Sequence, residues 1–167
     1  MVTNFKKATE KDIPLIRELA TISWSAAYEN ILSTAQIDYM LSEMYSSETI
    51  LTQIKNSNYL YYLIIKEGKA VGFIGFEFHY EEKTTKLHRI YLVPEAKGKS
   101  LGKEAMKFLK REVTSNEDNR IILNVNKDNS AKSFYESQGF QVYEEAVFDI
   151  GNGFVMDDYL MEFTFDL

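Results

Sequence analysis

The chain has 167 residues, enough for one domain whose core needs neither disulfide nor metal to hold it. Its 25 acidic and 19 basic side chains leave a formal charge of −6, which disfavours duplex nucleic acid as a partner and suits solubility or a cationic ligand. The absence of cysteine excludes a disulfide scaffold, a thiolate metal site and a cysteine nucleophile.

Val2 to Ala8 alternates like a short strand. Thr9 and Asp12 have the spacing of a capping box, with Pro14 tolerated in the first turn, so Glu10 to about Tyr28 is predicted helical. Ile13, Ile16, Ala20, Trp24 and Ala27 supply its apolar stripe. A second helix begins near Ser33 or Thr34 and carries Ile37, Met40, Leu41 and Met44. A third, shorter one carries Ile50, Leu51 and Ile54.

The texture then turns to strands. Tyr59–Ile65, Ala70–Tyr80 and Lys86–Val93 follow each other through short turns and predict an antiparallel meander ended by Pro94. A helix from about Lys99 to Val113 leads to a strand at Arg120–Val125, a connection that favours parallel pairing of that strand with Lys86–Val93. A short helix over Ser130–Gln138 stops at Gly139, the expected left-handed cap. Phe140–Phe148 and Phe154–Phe165 close a hairpin around Gly151-Asn152-Gly153. No linker or repeat divides the chain, so residues 1–167 read as a single domain of mixed α+β class.

Lys97-Gly98-Lys99-Ser100-Leu101-Gly102 lies between a strand and a helix. Small residues there allow a tight turn, and the first helical amides, unpaired and at the positive end of the dipole, suit phosphate oxygens. Lys97, Lys99 and Lys103 add charge, although a lysine-rich loop capping a helix would have the same composition. It is not a P-loop, because Val93 stands where that motif needs its first glycine. It is not a dinucleotide fingerprint either, because Gly98 and Gly102 are four apart.

Two segments together resemble the GNAT superfamily of N-acetyltransferases. Its signature of a strand, then Q/R-x-x-G-x-G/A, then a helix falls on Lys97, Ser100 and Gly102, approached through Val93-Pro94-Glu95. Lys97 replaces the usual Gln or Arg, and Ser100 the usual Gly. The second signature, N-x-x-A-x-x-F/L-Y-E-x-x-G-F, is closely matched by Asn129 to Phe140 and is the more specific of the two. The resemblance implies a twisted, mostly antiparallel central sheet with one splayed parallel pair, flanked by helices. It implies acetyl-CoA as co-substrate and no metal. The implied cofactor contacts are Lys97, Gly98, Lys99, Ser100, Leu101, Gly102, Lys103, Asn129 and Tyr135, with the backbone near Leu92 and Val93 holding the pantetheine arm.

Acetylating an amine requires a proton to leave the amine, a donor for the carbonyl oxygen and a proton for the leaving sulfur. With no cysteine and no evident Ser-His-acid set, direct attack in a ternary complex is expected. The resemblance gives Tyr135 the role of acid at the sulfur. His88 has a suitable ordinary pKa for the base, with Glu77, His79 or a water chain as alternatives. The expected acceptor contacts are the rings of Trp24 and Tyr28, with Tyr39 and Tyr45 nearby, and Asp157 or its neighbour Asp158. The stretches Tyr28–Leu41 and Met156–Glu162 resemble the bacterial polyamine acetyltransferase (PaiA-type) branch, which implies spermidine or spermine as substrate. A peptide or protein N-terminus, or a non-catalytic acyl-CoA-binding sensor, are the alternatives. No leader and no apolar run of about 20 residues is evident, so no membrane partner and a cytoplasmic location are expected. A homodimer through the C-terminal strands is expected by analogy with the superfamily.

Overall fold

The computed structural model describes residues 3–98 and 100–165. Seven strands form one sheet: β1 (Thr3–Lys7), β2 (Tyr59–Lys66), β3 (Lys69–Glu81), β4 (Thr84–Leu92), β5 (Arg120–Asn126), β6 (Gln141–Gly151) and β7 (Phe154–Thr164). Their spatial order is β1-β2-β3-β4-β5-β7-β6. Every neighbouring pair is antiparallel except β4 and β5. Three helices, α1 (Ile13–Tyr28), α2 (Thr34–Met44) and α3 (Ser47–Lys55), share one core with β2 and β3. The helix α4 (Leu101–Ser115) builds a second core, with Tyr135 of α5 (Ala131–Ser137) and the strands β3, β5 and β7.

The predicted elements all form, with shifted ends. The Thr9–Asp12 box is made, with the Thr9 amide donating to Asp12 Oδ2 at 2.9 Å, but it starts a single 3-10 turn before α1. Val2 lies outside the described residues. The α4 helix starts at Leu101 rather than near Lys99 and buries Leu101, Ala105, Met106, Leu109 and Val113. Gly139 takes φ +95°, and the Phe140 amide closes onto the Tyr135 carbonyl at 3.1 Å, which ends α5 as expected. The β6–β7 hairpin turns through Asn152 and Gly153, both at positive φ. Tyr39 of α2 donates to the Ile150 carbonyl at 2.8 Å, and Gln36 to the Val155 carbonyl at 2.9 Å, so α2 is tied to this hairpin.

One irregularity in the sheet decides the site. In the pairing of β3 with β4, Gly75 faces Arg89 and Phe76 faces Leu87, so His88 is an extra residue. The bulge turns both His88 and Arg89 toward the α1–α3 side. His88 stacks on Tyr59 with ring centroids 4.8 Å apart, and the Arg89 guanidinium lies 4.1 Å from the centre of the Tyr45 ring.

Candidate active site

The parallel ladder is short. Thr84–Lys86 pair with Arg120–Ile122, and beyond them β4 and β5 part. A cavity of about 430 Å³ opens there, walled by Leu87 to Leu92, by Leu123 to Val125 and by the starts of α4 and α5. The backbone facing it follows from the register. The Val93 amide donates to the Val71 carbonyl at 2.9 Å, which makes Leu92 and Gly72 a non-hydrogen-bonded pair. The Leu92 N–H therefore points away from β3 into the gap. The expectation for Val93 is corrected: its amide is spent on the sheet, and its side chain is buried away from the cavity.

The loop before α4 forms the next wall through Lys97, Gly98, Ser100, Leu101, Gly102 and Lys103. Lys99 lies outside the described residues. The Ser100 side chain makes no cap, whereas Ser33 and Ser46 cap α2 and α3 by accepting from Gln36 and Thr49. The first helical bond of α4 runs from the Glu104 amide to the Ser100 carbonyl, so the amides of Leu101, Gly102 and Lys103 precede the helical ladder. These amides and two lysines suit the oxygens of a pyrophosphate. Ser100 sits at φ +62°, in the left-handed region. The backbone, more than the space around the side chain, explains why the family signature has glycine here. Gly102 has a packing reason: a Cβ there would meet the Phe134 ring of α5 at 3.2 Å.

Tyr135 and Tyr28 line the same cavity. Burial pushes both hydroxyls above the ordinary tyrosine pKa, so both stay protonated at neutral pH. Asn129 lines the cavity, and its side chain is tied to two partners. Its Oδ1 accepts from the Ala131 amide at 2.9 Å and its Nδ2 donates to the Tyr28 hydroxyl at 3.1 Å, so it starts α5 and positions Tyr28. The N-cap itself is Ser130.

The acceptor-side expectations divide. His88 lines the cavity, with Nε2 3.0 Å from Glu77 Oε1. Burial, with the Lys86 and Arg89 cations, holds its pKa well below the histidine range, so it is a neutral imidazole at pH 7. His79 is elsewhere, bound through Nδ1 to Asp118 at 2.7 Å. Trp24 is only 2% exposed, donates to the Tyr45 hydroxyl at 3.1 Å and packs on Tyr28 and Tyr91 rather than reaching the cavity. Asp157 points outward and pairs with Lys127 at 3.1 Å, so the structure does not bring it to the site. Its neighbour Asp158 is the buried one. Arg89 went unread in the sequence. It lines the cavity beneath a tyrosine cluster, donating to the Tyr61 hydroxyl at 2.8 Å, so the cation held on the Tyr45 ring belongs to the protein itself.

Comparison with known proteins agrees with this geometry. A model of the acetyltransferase (GNAT) domain matches residues 28–161. A spermidine N(1)-acetyltransferase of Thermoplasma acidophilum is 30% identical, with 94% of this chain and 97% of that protein covered. The crystal structure of the PaiA N-acetyltransferase of the same organism, in complex with coenzyme A, matches with a TM-score of 0.84 at 26% identity, covering 99% of this chain and 100% of that one. An acetyltransferase of Thermus thermophilus, 19% identical over 96% of each chain, shares the fold with a TM-score of 0.67. The splayed β4–β5 pair, the uncapped α4 and the Asn129–Phe140 segment are the parts of this fold that meet at the cavity, and the chain belongs to the GNAT family of acetyltransferases.

Proposed function

We propose that the chain transfers acetyl from acetyl-coenzyme A to a primary amine of a small polycation, spermidine or spermine, by direct attack in a ternary complex. The observation that carries the transferase part is the cavity where β4 leaves β5, which gathers an anion-suited helix start, an inward amide and a protonated tyrosine. The polyamine part is supported by the 30% identity to a spermidine N(1)-acetyltransferase along nearly the whole chain.

The cavity residues fit the cofactor. When bound, it supplies an acetyl group activated as a thioester. The amides of Leu101, Gly102 and Lys103, with Lys97 and the Lys103 side chain, offer donors to the pyrophosphate. The Leu92 N–H, unused by β3, would be the donor to the thioester carbonyl. Tyr135, kept protonated by burial, donates at the leaving sulfur. His88, neutral and facing the cavity, accepts the amine's proton, but its depressed basicity makes it a weak base. Arg89 disfavours a second cation beside it, which keeps the reacting amine in its neutral, nucleophilic form.

The test is release of free thiol from acetyl-CoA in the presence of polyamines, aminoglycosides and short peptides. Turnover with spermidine or spermine supports the reading. Turnover with peptides alone assigns the chain to peptide or protein N-termini, and cofactor binding without turnover on any amine makes it an acyl-CoA-binding sensor.

A further inference from the structure

Asp158 is 6% exposed, and its Oδ1 has no hydrogen-bond partner. Among the described residues none of the ion pairs involves it; the nearby Lys127 pairs instead with Asp157 at 3.1 Å and Glu145 at 2.7 Å. A buried carboxylate without a partner is costly, and folds keep one where a ligand completes it. Its place is informative. Strand alternation puts it on the same face as Met156, which packs in the α1–α3 core, and across from Asn126 at the end of β5. Asn126 is committed, with Oδ1 accepting from the Asp128 amide at 2.9 Å and Nδ2 directed at Met156 Sδ at 3.9 Å. Val125, beside it on β5, and Tyr28, whose hydroxyl feels the Asp158 charge, both line the cavity.

We infer that Asp158 is the acceptor's counter-ion, the carboxylate that pairs with a second, non-reacting ammonium of the amine being acetylated. This rests on the polyamine reading and adds how the site chooses a diamine over a monoamine. Asp158 is not placed to serve the reacting nitrogen, because a carboxylate beside that nitrogen would hold it as an ammonium and block attack. Arg89 and Asp158 thus divide the charge: the neutral amine reacts on the Arg89 side, and the retained ammonium lies by Asp158. The groups acting on Asp158 agree with a site awaiting a cation. Burial and the neighbouring Asp157 push its pKa up to about 6, and Lys86 of β4 offsets this only in part. An ammonium brought alongside would lower it again.

The test combines turnover with binding. Spermidine and butylamine, a monoamine with no second ammonium, are compared for wild type, Asp158→Asn and, as control, Asp157→Asn. Spermidine binding to the coenzyme A complex, where no turnover occurs, is measured by calorimetry. Asp158→Asn is expected to lower kcat/KM for spermidine at least tenfold and weaken its binding similarly. Butylamine turnover, coenzyme A affinity and the Asp157→Asn variant should stay unchanged. A purely structural Asp158 would instead lower Tm and reduce both amines alike, and that result overturns the inference. Asp158→Ser repeats the comparison should the Asn variant not fold. Unchanged spermidine binding in the variants, or none in wild type, also overturns it. If wild type binds spermidine through Asp158 but does not acetylate it, the substrate reading fails and the counter-ion stands.

Discussion

Ser100 holds φ +62° at the mouth of the cofactor cavity. A left-handed non-glycine residue costs roughly 1–2 kcal/mol, more than the 0.5–1 kcal/mol of chain entropy a glycine would lose. Ser100→Gly is therefore expected to raise Tm by roughly 1–4 °C and to preserve or tighten coenzyme A binding. Marked weakening would make the hydroxyl a ligand. Tyr135→Phe should lower kcat by about 10²-fold, the scale of a positioned acid, with cofactor affinity little changed; an unchanged rate removes Tyr135 from the chemistry. His88→Asn should cost less than tenfold, because a weakly basic imidazole contributes little; steady-state rates at neutral pH compare the two. Asp158 also gives a pH prediction. Its folded pKa of about 6 lies above the unfolded value near 4, so the folded chain holds that proton more tightly. Its contribution to stability is present below about pH 4 and lost as pH rises through about 6. The Tm of Asp158→Asn relative to wild type should therefore increase between pH 4 and pH 7, and a constant difference would contradict the shift. At this scale the sequence named Tyr135, Tyr28 and the loop but not their geometry. Ser100 was visible as a departure from the signature, whereas its backbone angle, the reason the departure matters, is a property of the fold.

Among the elements, α4 and α5 work as a pair. Gly102 lets the start of α4 approach Phe134, and a larger side chain would have to move that ring. Gly102→Val should destabilise by about 1–3 kcal/mol, the range for overpacking, and weaken coenzyme A binding, both read from melting curves with and without ligand. The periodicity of α4 was legible because its buried residues, Leu101, Ala105, Leu109 and Val113, recur every four. The bulge at His88 was not. A strand's own residues do not say how many stand opposite them, and plain alternation would set Arg89 on the face of Leu87, away from the tyrosines it meets. The same difficulty separated Asp157 from Asp158. Met156 faces the α1–α3 core and Met161 the α4–α5 core, so β7 carries apolar residues on both faces. Its polarity pattern therefore gives no parity to tell the outward Asp157 from the buried Asp158.

Across the whole molecule, the meander, the crossover through α4 and the closing hairpin were all readable from turn residues and element order, and the sheet follows them. What could not be read was the depth at which β4 and β5 part. The end of the ladder at Lys86 and Ile122 opens the cavity, and the β3–β4 register turns the Leu92 amide toward it. Among the described residues no helix is long and apolar enough to cross a membrane. The work proposed for this cavity is acetylation of a polyamine. Its most direct test is thiol release from acetyl-CoA by the purified chain with spermidine, with the acetylated product identified by mass. Spermidine-dependent release and a product carrying one acetyl group are expected; no release with spermidine or spermine, alongside release with a peptide amine, would rule out the polyamine reading.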